Sequence, residues 1–142
     1  MKLLLVDDHE MVRLGLKSYL SMQDGIDQVL EASDGQAGVE LALQERPDVI
    51  IMDIVMPHMT GIEATLAILK EWPDAKILIL TSYLDNEKIY PVLDAGAKGY
   101  MLKTSSAEEI LRAIRKVEQG ELAIETEVSQ KVEYREEPRG TP

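Results

Sequence analysis

Reactive side chains stand directly after four short apolar runs of this sequence. They are the acid pair Asp7-Asp8, then Asp53, Thr81 and Lys103. Short, wholly apolar runs bounded by polar segments are typical of strands buried in a parallel sheet. Ligands of an open parallel sheet bind at the carboxyl ends of its strands, so we expect these side chains to meet at one edge.

Such a cluster favours a metal-assisted phosphoryl chemistry. Three carboxylates within a few ångströms raise each other's pKa unless a cation lies among them, and an all-oxygen donor set suits Mg²⁺. The ammonium of Lys103 and the hydroxyl of Thr81 could then contact the oxygens of a phosphoryl group. Asp53 is the predicted nucleophile, because a carboxylate can form an aspartyl phosphate.

Each residue taken alone also has an ordinary structural explanation. The acid pair could cap the first helix, Asp53 and Thr81 could be turn residues, and Lys103 could be a solvated charge. Four such residues at the ends of four core strands favour a functional cluster instead.

The histidines give weaker signals. His9 and Glu10 begin a pattern like a zinc-binding HExxH helix, but Arg13 stands where the second histidine is required. His58 is expected to be a solvated loop residue. The glycines form neither a dinucleotide-binding nor a P-loop pattern, so nucleotide binding is not predicted.

Strand and helix patterns alternate along the chain and must position the cluster. Besides the four runs, residues 26–32 read as a second strand in chain order. Five strand-helix units with apolar strands predict an α/β protein, a flavodoxin-like (βα)5 doubly wound parallel sheet with strand order 2-1-3-4-5. The predicted helices lie between these strands and after the last one.

Three features of the helices are predicted. The first helix, over residues 11–20, should bury a stripe that includes Val12, Leu16, Tyr19 and Leu20. The helix between the fourth and fifth strands contains Pro91, so we expect it to begin late, kink or be loosely held. The last helix should begin with a capping box and end at a glycine; these residues are Ser106, Glu109 and Gly120.

Composition sets the broad class. The 142 residues suit one domain, and the net charge of −11 would repel nucleic-acid phosphates, so DNA contact would need a separate basic module. The absence of cysteine excludes disulfides and thiolate metal sites.

No signal for secretion or membrane insertion is predicted from the sequence. Asp7-Asp8 interrupts the apolar start before a signal peptide could form, and no window approaches a membrane span. We therefore predict a cytoplasmic protein with no membrane partner.

The motifs together resemble the receiver domain of bacterial two-component response regulators. The resemblance lies in residues 6–9, 52–61, 80–82 and 95–103 and extends over roughly residues 1–120. The amino-acid sequence at residues 7–13, 90–91 and 102–105 is similar to that of the NarL/FixJ type and, within this type, to that of cell-envelope stress regulators.

The resemblance implies a phosphoryl acceptor that uses Mg²⁺. Asp53 would accept a phosphoryl group from a sensor histidine kinase. Asp8, Asp53 and the Val55 carbonyl would bind Mg²⁺ directly, while Asp7 would act through water.

Further roles follow from the same resemblance. Thr81 and Lys103 would hold the phosphoryl oxygens, and Tyr100 would be an aromatic switch that moves inward together with Thr81. Many receivers carry a cis Lys-Pro peptide after the fifth strand, but Thr104 follows Lys103 here, so that geometry stays open.

The resemblance also defines domains and partners. We predict a receiver domain over residues 1–120 and a linker or tail over residues 121–142, with the helix-turn-helix DNA-binding domain of the type absent from this chain. Either the chain is a piece of a longer transcription regulator, or it is a stand-alone receiver that acts by protein contacts. Phosphorylation is expected to drive homodimer formation, through either the side formed by the first and fifth helices or the face from the fourth to the fifth helix. Some involvement of the first helix is favoured because Met11 and Leu14 lie off its core stripe.

Two alternative functions each lack a required feature in this sequence. A metal-dependent aspartyl-phosphate phosphatase normally has a second aspartate two residues after the nucleophile, where this chain has Val55. A flavin-binding protein would need a phosphate loop after the first strand, where this chain has acids. We therefore predict a signalling domain that is not an enzyme for external substrates.

Overall fold

Six parallel strands form a single sheet in the computed structural model, which describes residues 1–82 and 93–124. Their order within this described part is β2-β1-β3-β4-β5-β6. The strands are β1 (Lys2–Val6), β2 (Gln28–Ala32), β3 (Val49–Asp53), β4 (Ile77–Thr81), β5 (Gly99–Leu102) and β6 (Ala123–Ile124). The first five confirm the predicted order 2-1-3-4-5.

Helices cover both faces of the sheet, which confirms the doubly wound prediction. They are α1 (Glu10–Ser21), α2 (Gly35–Glu45), α3 (Gly61–Glu71) and α4 (Ala107–Glu118). α1 contacts α4, whereas α2 contacts α3. Most of the helix predicted between β4 and β5, including Pro91, lies outside the described residues.

The strands alternate their side chains between two cores. In β1, Leu4 and Val6 belong to one buried cluster, while Leu3 and Leu5 belong to the other. All five residues of β3 are buried. Because both faces are covered, each inner strand is a continuous apolar run, which explains the signal in the sequence.

Side-chain caps fix where the helices begin. The side chain of Asp34 caps α2 by accepting a hydrogen bond from the backbone amide three residues further along the chain. Thr60 and Glu63 form a capping box at the start of α3. Ser106 and Glu109 form the predicted box at the start of α4, with reciprocal hydrogen bonds of 3.1 and 3.0 Å. These caps satisfy amides that have no partner within the helix.

Two features differ from the sequence-based predictions. β6 was not predicted, because a strand of two residues is too short to show a periodic pattern. Val12 was predicted to be buried but is 43% exposed, whereas Leu20 is fully buried as predicted. α1 begins at the carboxyl edge of the sheet, so its first turn extends past the strands on which it would otherwise pack.

Gly61 packs against the end of β3 with no room for a side chain. A Cβ placed there would overlap the carbonyl oxygen of Asp53 and lie 2.7 Å from the Cα of Ile54. The amide of Gly61 also donates a 2.8 Å hydrogen bond to the carbonyl of Ile54. The start of α3 is therefore held directly against the strand end that carries Asp53.

We predict that Gly61→Ala destabilises the protein by about 1–3 kcal/mol, because the added methyl group forces backbone movement. Gly15 is the matched control, since it is exposed within α1 and a Cβ there meets nothing within 4 Å. Gly15→Ala should stabilise the protein by roughly 0.5–1 kcal/mol, through helix propensity. Urea unfolding measures both changes, and equal stability of the two variants would contradict the packing described here.

Candidate functional site

The predicted residues meet at the carboxyl edge of the sheet. Asp53 and Thr81 are the last residues of β3 and β4, and Lys103 directly follows β5. The Lys103 Nζ lies 3.1 Å from Asp53 Oδ2 and 3.0 Å from Asp7 Oδ2. The strand order makes this possible, because β1, β3, β4 and β5 are successive neighbours in the sheet.

The two acids nearest Lys103 are removed from solvent. Asp53 is 2% exposed and Asp7 is 6% exposed, whereas Asp8 is an exposed residue. Burial raises the pKa of the Asp53 carboxyl above its ordinary value, the Lys103 ammonium opposes that rise, and the Asp7 charge adds to it. The site therefore holds more negative charge than its own lysine compensates.

Backbone hydrogen bonds fix the strand ends relative to one another. The Lys103 amide donates to the Thr81 carbonyl at 2.6 Å, and the Asp7 amide donates to the Ala32 carbonyl at 3.1 Å. The Arg13 guanidinium donates to the Asp7 carbonyl at 2.6 Å and so ties α1 to the acid pair. The peptide bond after Lys103 is trans, like every peptide bond among the described residues.

The two residues predicted to form a switch are both buried. Thr81 is 1% exposed at the end of β4, and Tyr100 is fully buried in the core that faces α2 and α3. Val55, whose carbonyl was predicted to bind the metal, lies in the loop after β3 with a side chain that is 45% exposed. His58 lies in the same loop, exposed and with a positive φ of 68°, as expected of a solvated loop residue.

His9 belongs to the cluster, although the sequence analysis did not place it there. Its Nδ1 lies 2.9 Å from Asp7 Oδ1, 3.3 Å from Asp8 Oδ1 and 3.6 Å from Asp53 Oδ2. In the sequence, His9 resembles only one half of a zinc motif, which Arg13 excludes. Its place directly after the acid pair was the signal that could have identified it.

The donor set fits a divalent cation. One atom from each of Asp7, Asp8, His9 and Asp53 lies within 4.8 Å of all the others. Carboxylate oxygens are hard ligands of the kind Mg²⁺ prefers, and the buried charge on Asp53 favours a bound cation.

No helix among residues 1–82 and 93–124 has both the length and the apolar character needed to cross a membrane.

The family follows from comparison with known proteins. Residues 3–115 match the response regulator receiver domain. The chain therefore belongs to that family, which confirms the resemblance seen in its motifs and makes it a receiver domain of two-component systems.

Named relatives lie within one group of regulators. The transcriptional regulatory protein LiaR of Bacillus subtilis (strain 168) is 53% identical over 131 residues, which cover 92% of this chain and 62% of LiaR. The response regulator protein VraR of Staphylococcus aureus (strain Mu3 / ATCC 700698) is 46% identical over 138 residues, which cover 97% of this chain and 66% of VraR. The chain thus spans less than two thirds of the length of either relative.

A solved structure shows the same fold. The crystal structure of a LuxR-family two-component response regulator from Aurantimonas sp. SI85-9A1 superposes with a TM-score of 0.88 and is 32% identical. The match covers 95% of this chain and 96% of that chain.

Proposed function

We propose that the chain is a phosphorylation switch in which Asp53 accepts a phosphoryl group from a sensor histidine kinase. The observation that carries the proposal is the buried Asp53 carboxylate, 3.1 Å from the Lys103 ammonium, where four strands end. An anion with a cation beside it at the edge of a parallel sheet is suited to receive a phosphoryl group.

The proposed step is a transfer between two side chains. An Asp53 carboxylate oxygen attacks phosphorus, the bond from phosphorus to the kinase histidine nitrogen breaks, and its electron pair stays on that nitrogen, which regains a proton. Lys103 neutralises charge on the phosphoryl oxygens. The Thr81 hydroxyl donates a hydrogen bond to one of them.

Mg²⁺ fits this site as the resident cofactor. We assign Asp8, Asp53 and the Val55 carbonyl as its direct ligands, with Asp7 bound through water. When bound, the ion supplies positive charge to the carboxylates and to the incoming phosphoryl oxygens. The closeness of one carboxylate oxygen from each of Asp7, Asp8 and Asp53 supports this assignment, because all three lie within 4.8 Å of one another.

The domain would assist its own phosphorylation and dephosphorylation without processing other substrates. Hydrolytic enzymes that use an aspartyl phosphate need an acid to protonate the leaving group, and Val55 occupies the position two residues after the nucleophile. A signalling role agrees with the family, which is that of receiver domains.

The output is proposed to be transcription, through a DNA-binding domain outside this chain. Residues 1–120 would be the receiver and residues 121–142 the beginning of a linker, with β6 at the junction. LiaR is named a transcriptional regulatory protein, and the match leaves more than a third of its length uncovered. The net charge of −11 argues against direct DNA contact by this chain.

The conformational change would begin at Thr81 and Tyr100 and reach a surface that forms a homodimer. Thr81 would move toward the phosphoryl group, and Tyr100 would follow it inward; the burial of both side chains beside the site supports such coupling. α1 offers an apolar surface beside the site: Met11 is 88% exposed, Leu14 49% and Val12 43%. An apolar surface of this kind supports a protein interface.

Phosphorylation is tested with a small donor. Acetyl phosphate with Mg²⁺ should add one phosphoryl group to the protein, as measured by intact mass. Asp53→Asn should prevent the addition, because an amide cannot be the nucleophile, and Lys103→Ala should slow it at least about tenfold by leaving the phosphoryl charge uncompensated. Exposed Asp74 and Lys70 provide the controls Asp74→Asn and Lys70→Ala, which should behave like the unmodified protein. Phosphate retained on Asp53→Asn would disprove the assignment.

Dimer formation is tested with beryllofluoride, which mimics an aspartyl phosphate. The protein should sediment as a monomer alone and as a dimer with beryllofluoride at tens of micromolar. Met11→Asp should abolish the dimer, since a charge at the centre of the apolar surface opposes its burial. Met22→Asp is the matched control. Met22 is also an exposed methionine, with 80% of its surface accessible, but it lies at the opposite end of α1, where it caps the helix. If both aspartate variants dimerise equally well, α1 is not the interface.

A further inference from the structure

We propose that His9 is a ligand of the metal site, and that its imidazole raises the affinity of the site for first-row transition-metal cations relative to Mg²⁺. The inference rests on the proposed function for the position of the metal. It adds a nitrogen donor to an oxygen set and therefore changes which class of cation the site prefers.

The spacing of the donor atoms matches ligands that share one cation. Neighbouring ligands of an octahedral ion are about 3 Å apart when each lies about 2.1 Å from the metal. The Nδ1 of His9 lies 2.9 Å from Asp7 Oδ1 and 3.3 Å from Asp8 Oδ1. It lies 3.6 Å from Asp53 Oδ2, so the imidazole nitrogen lies beside all three acids and could share a cation with them.

The contacts of His9 Nδ1 call for a cation. Lys103 Nζ lies 3.0 Å from Nδ1, a distance at which the ammonium donates to the nitrogen lone pair. Asp7 Oδ1 lies 2.9 Å from the same nitrogen, and two lone-pair atoms this close repel one another. If Nδ1 carries a proton instead, the contact with the ammonium becomes unfavourable. A metal ion that takes the Nδ1 lone pair, with Asp7 held through one of its water molecules, removes the conflict.

A buried oxygen provides an independent reason for a cation at this position. Asp53 Oδ2 is fully enclosed and accepts no well-aligned hydrogen bond among the described residues; its polar neighbours there are the Lys103 ammonium and His9. Such an oxygen is costly to bury without a strong partner. It is also the oxygen of Asp53 that faces the imidazole, so a cation that satisfies it lies within reach of His9.

The position of His9 at the start of α1 is explained by this role. It is the N-cap residue, where serine, threonine, aspartate and asparagine are preferred, and its side chain makes no capping hydrogen bond. Its backbone amide instead donates a 2.8 Å hydrogen bond to Asp7 Oδ1, which turns the chain so that the imidazole faces the acids.

The chain offers a clean test because it has few imidazole or thiolate ligands. It has no cysteine and two histidines, so an imidazole-dependent metal affinity must come from His9 or His58. His9→Asn and His58→Asn are matched changes: asparagine suits an N-cap and also tolerates the positive φ at residue 58. Each removes an imidazole and leaves a polar amide.

Co²⁺ is the probe, since its visible absorption reports nitrogen ligation, and Mg²⁺ is the comparison. Titrations of the unmodified protein and both variants give dissociation constants for each ion. His9→Asn should weaken Co²⁺ binding at least about tenfold and alter the Co²⁺ spectrum. Even the loss of a residue that only hydrogen-bonds to a metal ligand lowers metal affinity by about this factor. Mg²⁺ affinity should change less than about twofold, because oxygen ligands carry it. His58→Asn should change neither affinity.

The outcomes separate this inference from the function on which it rests. If Co²⁺ binds with the same affinity and spectrum in His9→Asn, or if Mg²⁺ and Co²⁺ weaken equally, His9 only positions Asp7 and the inference is wrong while the metal site stands. If neither ion binds the unmodified protein, the metal site and the inference both fail.

Discussion

A buried carboxylate at the end of a central strand is the constraint around which this structure is arranged. Burying an ionised acid is unfavourable unless it is paired, and Asp53 is 2% exposed with a second buried acid, Asp7, nearby. Lys103 lies 3.1 Å from Asp53 and compensates part of this charge, but the pKa of Asp53 stays above its ordinary value because burial dominates. The cluster is therefore short of positive charge, and under the proposed function a bound Mg²⁺ would supply it.

The scaffold keeps that unfavourable arrangement in place. β3 lies between β1 and β4, and helices cover both of its faces, so the strand that carries Asp53 is held within the sheet and between two cores. Gly61 brings the start of α3 against the carbonyl of the same residue, and the Lys103 amide is hydrogen-bonded to Thr81. Stability from the two cores thus offsets the cost of the site, which explains how the domain can hold a buried carboxylate at a strand end.

Much of this arrangement could be predicted from the sequence, because it depends on periodicity and on residues at strand ends. Wholly apolar runs gave the strands, and the Ser106 and Glu109 spacing gave a helix start. β6 could not be predicted, since two residues show no pattern, and Val12 was misplaced because periodicity does not reveal where a sheet ends. The contribution of His9 was also missed: which way a side chain turns after a strand depends on tertiary contacts with Asp7 and Lys103.

The claim that the acids repel one another until a cation binds is tested most directly by the free energy of unfolding with and without Mg²⁺. Mg²⁺ at about ten times its dissociation constant should stabilise the protein by roughly 1.4 kcal/mol, from the linkage between binding and folding. Asp8→Ala should lose that gain and should be more stable than the unmodified protein in EDTA, because one like charge is gone, whereas Asp74→Ala at an exposed site should change neither value. Equal unfolding free energies of the unmodified protein in Mg²⁺ and in EDTA would contradict the account.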